Sequence, residues 1–156
     1  MPTVSAAVCL WRVTANGIEI LIVHPGGPFW AKKDEGAWSL PKGEFDPHAE
    51  EGLDAARREF AEETGCETPA SEPISLGATK LKSGKTILAW AIEGDLDADK
   101  IESNTFEIEW PPRSGRRASF PEVDRALWAN PATARAKLNP AQAAFVDRLL
   151  AEVSDS

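Results

Sequence analysis

The chain contains no tyrosine, and only two histidines and two cysteines among its 156 residues. Any ring offered to a ligand must therefore come from tryptophan or phenylalanine. Cys9 and Cys66 stand in apolar surroundings without metal-site spacing. They are expected to be buried free thiols rather than a disulfide, which fits a cytoplasmic location. His24 reads as structural or solvent-facing, and His48 as a loop residue rather than a ligand. No apolar run approaches the roughly 20 residues that span a bilayer. The N-terminal MPTVSAAVCLWRV lacks a basic region and reads as a strand, not a secretory leader. Positive charge is also short, with 17 Lys and Arg against 25 Asp and Glu and a net charge of −8. That deficit argues against long nucleic acid as a partner. It leaves room for a small polyanion that arrives with a divalent cation.

The composition is otherwise that of one globular domain over residues 1–156, with 42% hydrophobic and 27% charged residues. Residues 3–13 and 18–23 are β-rich runs, and Asn16-Gly17 between them is a hairpin signal. His24-Pro25-Gly26-Gly27-Pro28 breaks the second run. The loop that follows carries Trp30, Lys32 and Lys33, read either as part of a nucleotide site or as an exposed turn with a tucked aromatic. Residues 38–44 suggest a short strand that ends in Pro41-Lys42-Gly43. Strands at 74–81 and 85–93 flank Lys82-Ser83-Gly84, with Lys80, Lys82 and Lys85 at a solvated tip. Phe106, Ile108 and Trp110 alternate with Glu107 and Glu109 as a half-buried strand would. Arg113, Arg116 and Arg117 make a basic loop able to meet phosphates. Residues 131–138 and 140–153 read as two helices, the second with a buried stripe of Ala144, Phe145, Leu149 and Val153.

The densest chemical signal is REFAEETG, residues 58–65. A helix over 52–64 puts Glu59, Glu62 and Glu63 at i, i+3 and i+4, on one face. Leu53, Ala56 and Phe60 fall on a neighbouring face that packs inward, and Gly65 is placed to end the helix in a left-handed conformation. Each like-charged pair costs about 0.2–0.5 kcal/mol on an exposed helix. A hard divalent cation, Mg²⁺ or Mn²⁺, removes that cost. Arg58 compensates in part, with Glu50 its partner across the preceding turn. The plainer reading is a solvated glutamate-rich face.

The stretch resembles the signature of the Nudix hydrolases, G-x5-E-x7-R-E-U-x-E-E-x-G-U with U apolar. From Glu50 through Arg58 and Glu59 to Gly65 and Cys66 the match is complete. Six residues rather than five separate Gly43 from Glu50. An extra loop residue is cheap, and it bears on where Gly43 and Glu44 stand relative to the carboxylates. The resemblance implies an α/β fold, an α/β/α sandwich with a mixed, curved sheet and a catalytic loop-helix-loop. The box helix would cover one side and the C-terminal helix the other. It implies Glu59, Glu62 and Glu63 as metal ligands for Mg²⁺, with Mn²⁺ as substitute. Arg58 would support the loop through Glu50, and Lys42 and Gly43 would approach a phosphate. Pro-Lys-Gly before the box is similar to the form found in dinucleoside-polyphosphate hydrolases. Members of that branch and RNA 5′-pyrophosphohydrolases carry a Glu six residues before a Trp, a ligand or base from outside the box. Glu122 and Trp128 have that spacing, which ranks Glu122 above Glu107 and Glu109.

The expected activity is Mg²⁺-dependent hydrolysis of a nucleoside diphosphate linked to another moiety, foremost a dinucleoside polyphosphate such as diadenosine tetraphosphate. Rivals are hydrolysis of oxidised nucleoside triphosphates, removal of pyrophosphate from RNA 5′ ends, and a non-catalytic nucleotide sensor. The last usually lacks box carboxylates that this chain keeps. Relatives often stack the base on tyrosine, so Trp30, Trp90, Trp110 or a phenylalanine must serve here. The partner is a small nucleotide, with no membrane, and the protein is a monomer or homodimer.

Overall fold

The protein is described by a computed structural model over residues 3–153. Met1, Pro2 and residues 154–156, part of the expected domain and of the N-terminal segment read against a leader, lie outside the described residues. The N-terminal runs form an antiparallel hairpin, β1 (Val4–Thr14) and β2 (Gly17–Pro25), that closes at the Thr14–Gly17 pair. β1 then does double duty. One edge pairs in parallel with β5 (Thr86–Glu93), and the other takes the short β3 (Lys42–Phe45) at residues 4–7. β4 (Ile74–Lys80) closes one side against β5, and β8 (Val123–Ala129) closes the other against β2. The order is β4-β5-β1-β2-β8, a mixed sheet.

Alternation along β1 explains the two layers of core. Ala6, Val8 and Leu10 face α1 (Gly52–Thr64), where they meet Ala55, Ala56 and Phe60. Ala7 and Cys9 face the opposite way, toward α3 (Ala143–Val153), with Phe145, Val146 and Leu149. A shorter α2 (Pro131–Lys137), capped by the Asn130 side chain on the Thr133 N–H at 2.8 Å, packs on α3's side. The sandwich is therefore α/β/α, with the box helix on one face and α2 and α3 on the other. Gly65 ends α1 at φ 75°, as its position suggested, and its N–H bonds the Ala61 carbonyl at 2.8 Å. Among the described residues, no helix is long and apolar enough to cross a membrane.

Several details differ from the sequence reading. Pro41 has no N–H, and the segment before it makes only isolated bridges, Ser39 to Val23 and Trp38 to Leu138, so the strand expected at 38–44 shrinks to β3. Glu107 and Glu109 lie on β6 (Thr105–Glu109), which pairs with an unexpected β7 (Arg117–Pro121) in a separate two-stranded sheet. Leu53, in the first turn of α1, is only half-buried, and Ala55 takes the fully buried place. Both thiols are free, but only Cys9 is buried, its pKa pushed up to about 12 by desolvation. Cys66 lies just past the helix cap and is half-buried. His24 is wholly buried, with Nδ1 2.8 Å from Asp124 and Nε2 2.7 Å from the Lys33 carbonyl.

Phe60 is the side chain that seats α1 on the sheet. Phe60→Ala is expected to lower unfolding free energy by about 3–5 kcal/mol in urea titrations. A loss below about 1 kcal/mol would mean that α1 is held chiefly by its polar contacts.

Candidate active site

The site is built around the guanidinium of Arg58. Its Nε and Nη2 grip both oxygens of Glu50, at 3.0 and 2.9 Å. Nη1 reaches Glu59 at 2.8 Å and Glu62 at 3.3 Å. One cation thus pins the loop before α1 to the acidic face of the helix. The fork with Glu50 is the main reason that the Arg58 pKa is raised, and it holds the Glu50 carboxyl below the usual range. The loop itself is a turn on Asp46, whose carbonyl accepts from the Ala49 and Glu50 N–H groups at 3.0 Å.

β3 lies across the same helix face. The Lys42 N–H donates to Glu63 Oε1 at 3.1 Å. Gly43 comes so close to Glu59 that a Cβ there would overlap the carboxylate. The extra loop residue leaves Gly43 at the carboxylates, and strand alternation turns Glu44 the other way, where Lys85 pairs with it at 2.9 Å. Glu122 arrives from the bend between β7 and β8. Its N–H bonds the Asn104 carbonyl at 2.8 Å, while the Asn104 N–H bonds the Glu62 carbonyl at 2.9 Å. A cleft of about 110 Å³ is lined by Val23, Pro25, Ser39, Lys42, Glu63, Glu122 and Val123.

The electrostatics show an uncompensated negative charge. Burial pushes the Glu63 carboxyl up to about 8, and the charges of Glu122 and Glu59 add to the effect. Glu59 is raised by burial despite Arg58, and Glu122, exposed at the cleft mouth, by partial desolvation and then by Glu62. Among the described residues, no group of three or more His, Cys, Asp or Glu side chains is arranged to hold a metal ion as it stands. Arg58 takes up oxygens of Glu59 and Glu62 instead. The donor set still fits a hard divalent cation. Every donor is a carboxylate oxygen, and the crowded, partly desolvated charges are those that a cation would relieve.

Lys42, Gly43, Arg58, Glu59, Glu62, Glu63 and Glu122 are thus gathered in one place. Trp30 is not among the cleft-lining residues; it stands 39% exposed with Lys33 Nζ 5.0 Å from its ring. Glu107 and Glu109 are exposed on β6 and line no part of the cleft. Two supporting residues were missed. Asn104 links Glu62 to Glu122 through its backbone alone, which leaves no trace in the sequence. Gln142, buried, accepts from the Leu40 N–H at 2.8 Å and donates to Ser39 Oγ at 3.0 Å. A polar residue in the apolar approach to the last helix was the available signal.

The NUDIX domain profile matches residues 1–149, and the chain belongs to that family. Among solved structures it is similar to a C. elegans Ap4A hydrolase in a binary complex. The two are 18% identical, with 97% of this chain and 99% of that chain covered and a TM-score of 0.69. It is also similar to the NUDIX domain of Shewanella oneidensis NrtR complexed with ADP ribose, at 15% identity, 98% and 89% coverage and a TM-score of 0.65. A MutT protein from Methanosarcina mazei Go1 gives 18%, 97% and 95%, and 0.61. Likeness at this identity shows the fold. A comparison with curated proteins finds no match.

Two outcomes follow from the crowding. Gly43→Ala is expected to cut turnover sharply, because its Cβ must displace the Glu59 carboxylate; activity within twofold of the parent would show that Glu59 has room to move. Without metal, the folded protein binds more protons than the unfolded chain between the ordinary glutamate value of 4.5 and the Glu63 value of about 8. Stability should therefore fall as pH rises through that window, by up to about 1.4 kcal/mol per pH unit from this group. Melting curves in chelator at pH 5.5 and 8.5 should show the decline, Glu63→Gln should flatten it, and Mg²⁺ should reverse it at the higher pH. An identical slope in the Gln variant would remove Glu63 as its source.

Proposed function

We propose that the protein is a Mg²⁺-dependent Nudix pyrophosphohydrolase whose substrate is a dinucleoside polyphosphate such as diadenosine tetraphosphate. The observation that carries this reading is the convergence of Glu122 with Lys42 and Glu63 on one cleft beside Glu59 and Glu62. A solvated helix face has no reason to draw in a fourth carboxylate from another strand. The Ap4A hydrolase similarity and the Pro-Lys-Gly form before the box lend the substrate class support. Two free thiols fit a cytoplasmic enzyme.

The carboxylates of Glu59, Glu62, Glu63 and Glu122 would hold the Mg²⁺. When bound, that ion supplies charge neutralisation at the phosphate and a lowered pKa for the attacking water. The remaining work falls to the chain. Lys42, whose charge acts on Glu63 and Glu44, takes a phosphate oxygen as a point charge. Glu122, at the cleft mouth, accepts the proton of the water that attacks phosphorus. Glu63, held by the Lys42 N–H, orients the same strand that carries the phosphate-binding lysine. Arg58 keeps Glu50 and the loop in place and limits how far Glu59 and Glu62 repel each other.

The test is a phosphate-release panel in Mg²⁺ with diadenosine tetraphosphate, normal and oxidised nucleoside triphosphates, and ADP-ribose. The dinucleotide should be preferred, with ATP among the products. Glu62→Gln and Glu63→Gln should each lose at least roughly a hundredfold in kcat/KM while they remain folded by circular dichroism. Preference for an oxidised triphosphate would move the enzyme to the nucleotide-cleansing class, and full activity in both variants would refute the site.

A further inference from the structure

Glu122 sits in a bend, and the start of β8 fixes where that bend falls. From Ala129 back to Arg125, β8 pairs residue by residue with Ile20 to His24 of β2. The next pair is Val123 with Pro25, so Asp124 is an extra residue with no partner in β2. Such a β-bulge re-aims the side chains around it. Leu127 and Ala129 face the α3 layer, and strict alternation would send Val123 the same way. Val123 instead lines the cleft with Lys42 and Glu63. The same step sets Glu122 opposite Gly26 rather than Gly27, and the Gly26 N–H donates to the Glu122 carbonyl at 2.9 Å. A Cβ on Gly26 would overlap the Pro121 carbonyl, so the two segments are in direct contact here.

An unpaired residue inside a ladder needs something to hold it, and here that is His24. Its ring is wholly buried and stands edge-on to Trp38 at 5.2 Å and 68°. Nδ1 lies 2.8 Å from Asp124 Oδ1, and Nε2 lies 2.7 Å from the Lys33 carbonyl oxygen. A carbonyl only accepts, so Nε2 carries a proton. A carboxylate also only accepts, so both bonds are made when each ring nitrogen carries one. Arg125 Nε stands 3.6 Å from the same Asp124 oxygen. The acid group of the bulged residue is thus drawn toward the α3 layer, away from the glutamates of α1. Val23 and Pro25, on either side of His24, line the cleft themselves. One buried ring therefore ties both walls of the cleft, its own strand directly and the approach to β8 through Asp124.

We propose that His24 and Asp124 are positioning residues for the reaction: their hydrogen bond holds the bulge in β8, and the register set by the bulge keeps Glu122 at the cleft with Glu63. Neither residue lines the cleft. The inference rests on the reading of Glu122 as a working member of the carboxylate site, and it names what keeps that residue there. Without the bond the ladder is free to continue in step. That slip would carry Glu122 past Gly26 and turn Val123 to the opposite face of the sheet.

The experiment uses Asp124, whose side chain is 32% exposed, because truncating the wholly buried His24 would open a cavity. Asp124→Ala is expected to lower kcat for diadenosine tetraphosphate in Mg²⁺ roughly tenfold or more, with KM within about twofold. Asp124→Asn should restore most of that loss, since its amide can donate to Nδ1 while Nε2 still donates to Lys33. In a Glu122→Gln background Asp124→Ala should cost nothing further, because the two act through one group. In the metal-free protein, hydrogen exchange at the Gly26 and Glu122 amides should quicken roughly tenfold in Asp124→Ala, while the Phe60 amide in α1 stays unchanged. Parent-like kcat in Asp124→Ala overturns the proposal, as do multiplying losses in the double variant, an Asn variant as poor as the Ala one, or unchanged exchange at Gly26 and Glu122. A fully active Glu122→Gln enzyme also overturns it. Should the unmutated enzyme hydrolyse no dinucleotide, the proposed activity falls, while the exchange measurement still decides whether Asp124 holds the bend.

Discussion

Crowding of like charge is the constraint on which the site depends. Glu59, Glu62 and Glu63 are placed together by helical periodicity, and Glu122 is brought to them by backbone hydrogen bonds through Asn104. None of these carboxylates can leave without breaking α1 or the connection into β8. The molecule meets the repulsion in three ways. Arg58 neutralises part of it, the Lys42 N–H supports Glu63, and burial shifts carboxyls toward the protonated form. Each is a partial remedy, and a divalent cation is the complete one.

The rest of the fold serves this arrangement. Phe60 locks the helix down, so its acidic face cannot rotate away from β3. The absent side chain at Gly43 lets the strand run against Glu59. From the opposite layer, Gln142 satisfies the Leu40 N–H where Pro41 interrupts the strand, and so holds the segment that presents Lys42. Buried polar bonds at such points fix a geometry that apolar packing alone would leave loose.

What could be read from the sequence was local. The i, i+3, i+4 spacing of the glutamates, the Gly65 cap and the Asn16-Gly17 hairpin each depend on a few neighbouring residues, and each is found in place. The α/β/α layering followed from the family resemblance and is matched by the alternation along β1. Glu122 was legible only through its spacing to Trp128. β7 was hidden because Arg-Ala-Ser-Phe-Pro is short and follows a basic loop. Of the two readings of His24, structural or solvent-facing, the structural one holds, and its partner Asp124, a hundred positions away, could not be read locally. Trp30 was read either as part of a nucleotide site or as an aromatic in an exposed turn, and it stands outside the phosphate cleft. Long-range backbone contacts, such as those of Asn104, select no residue type and so leave no signal.

The most direct measurement is the anomalous difference density of crystals soaked in Mn²⁺. The expected result is a peak among the carboxylates of Glu59, Glu62, Glu63 and Glu122, with Arg58 withdrawn from Glu59 or Glu62 and still paired with Glu50. A soaked crystal with no peak there, or with the ion held elsewhere and Arg58 unmoved, would contradict the assignment of these glutamates as the metal site.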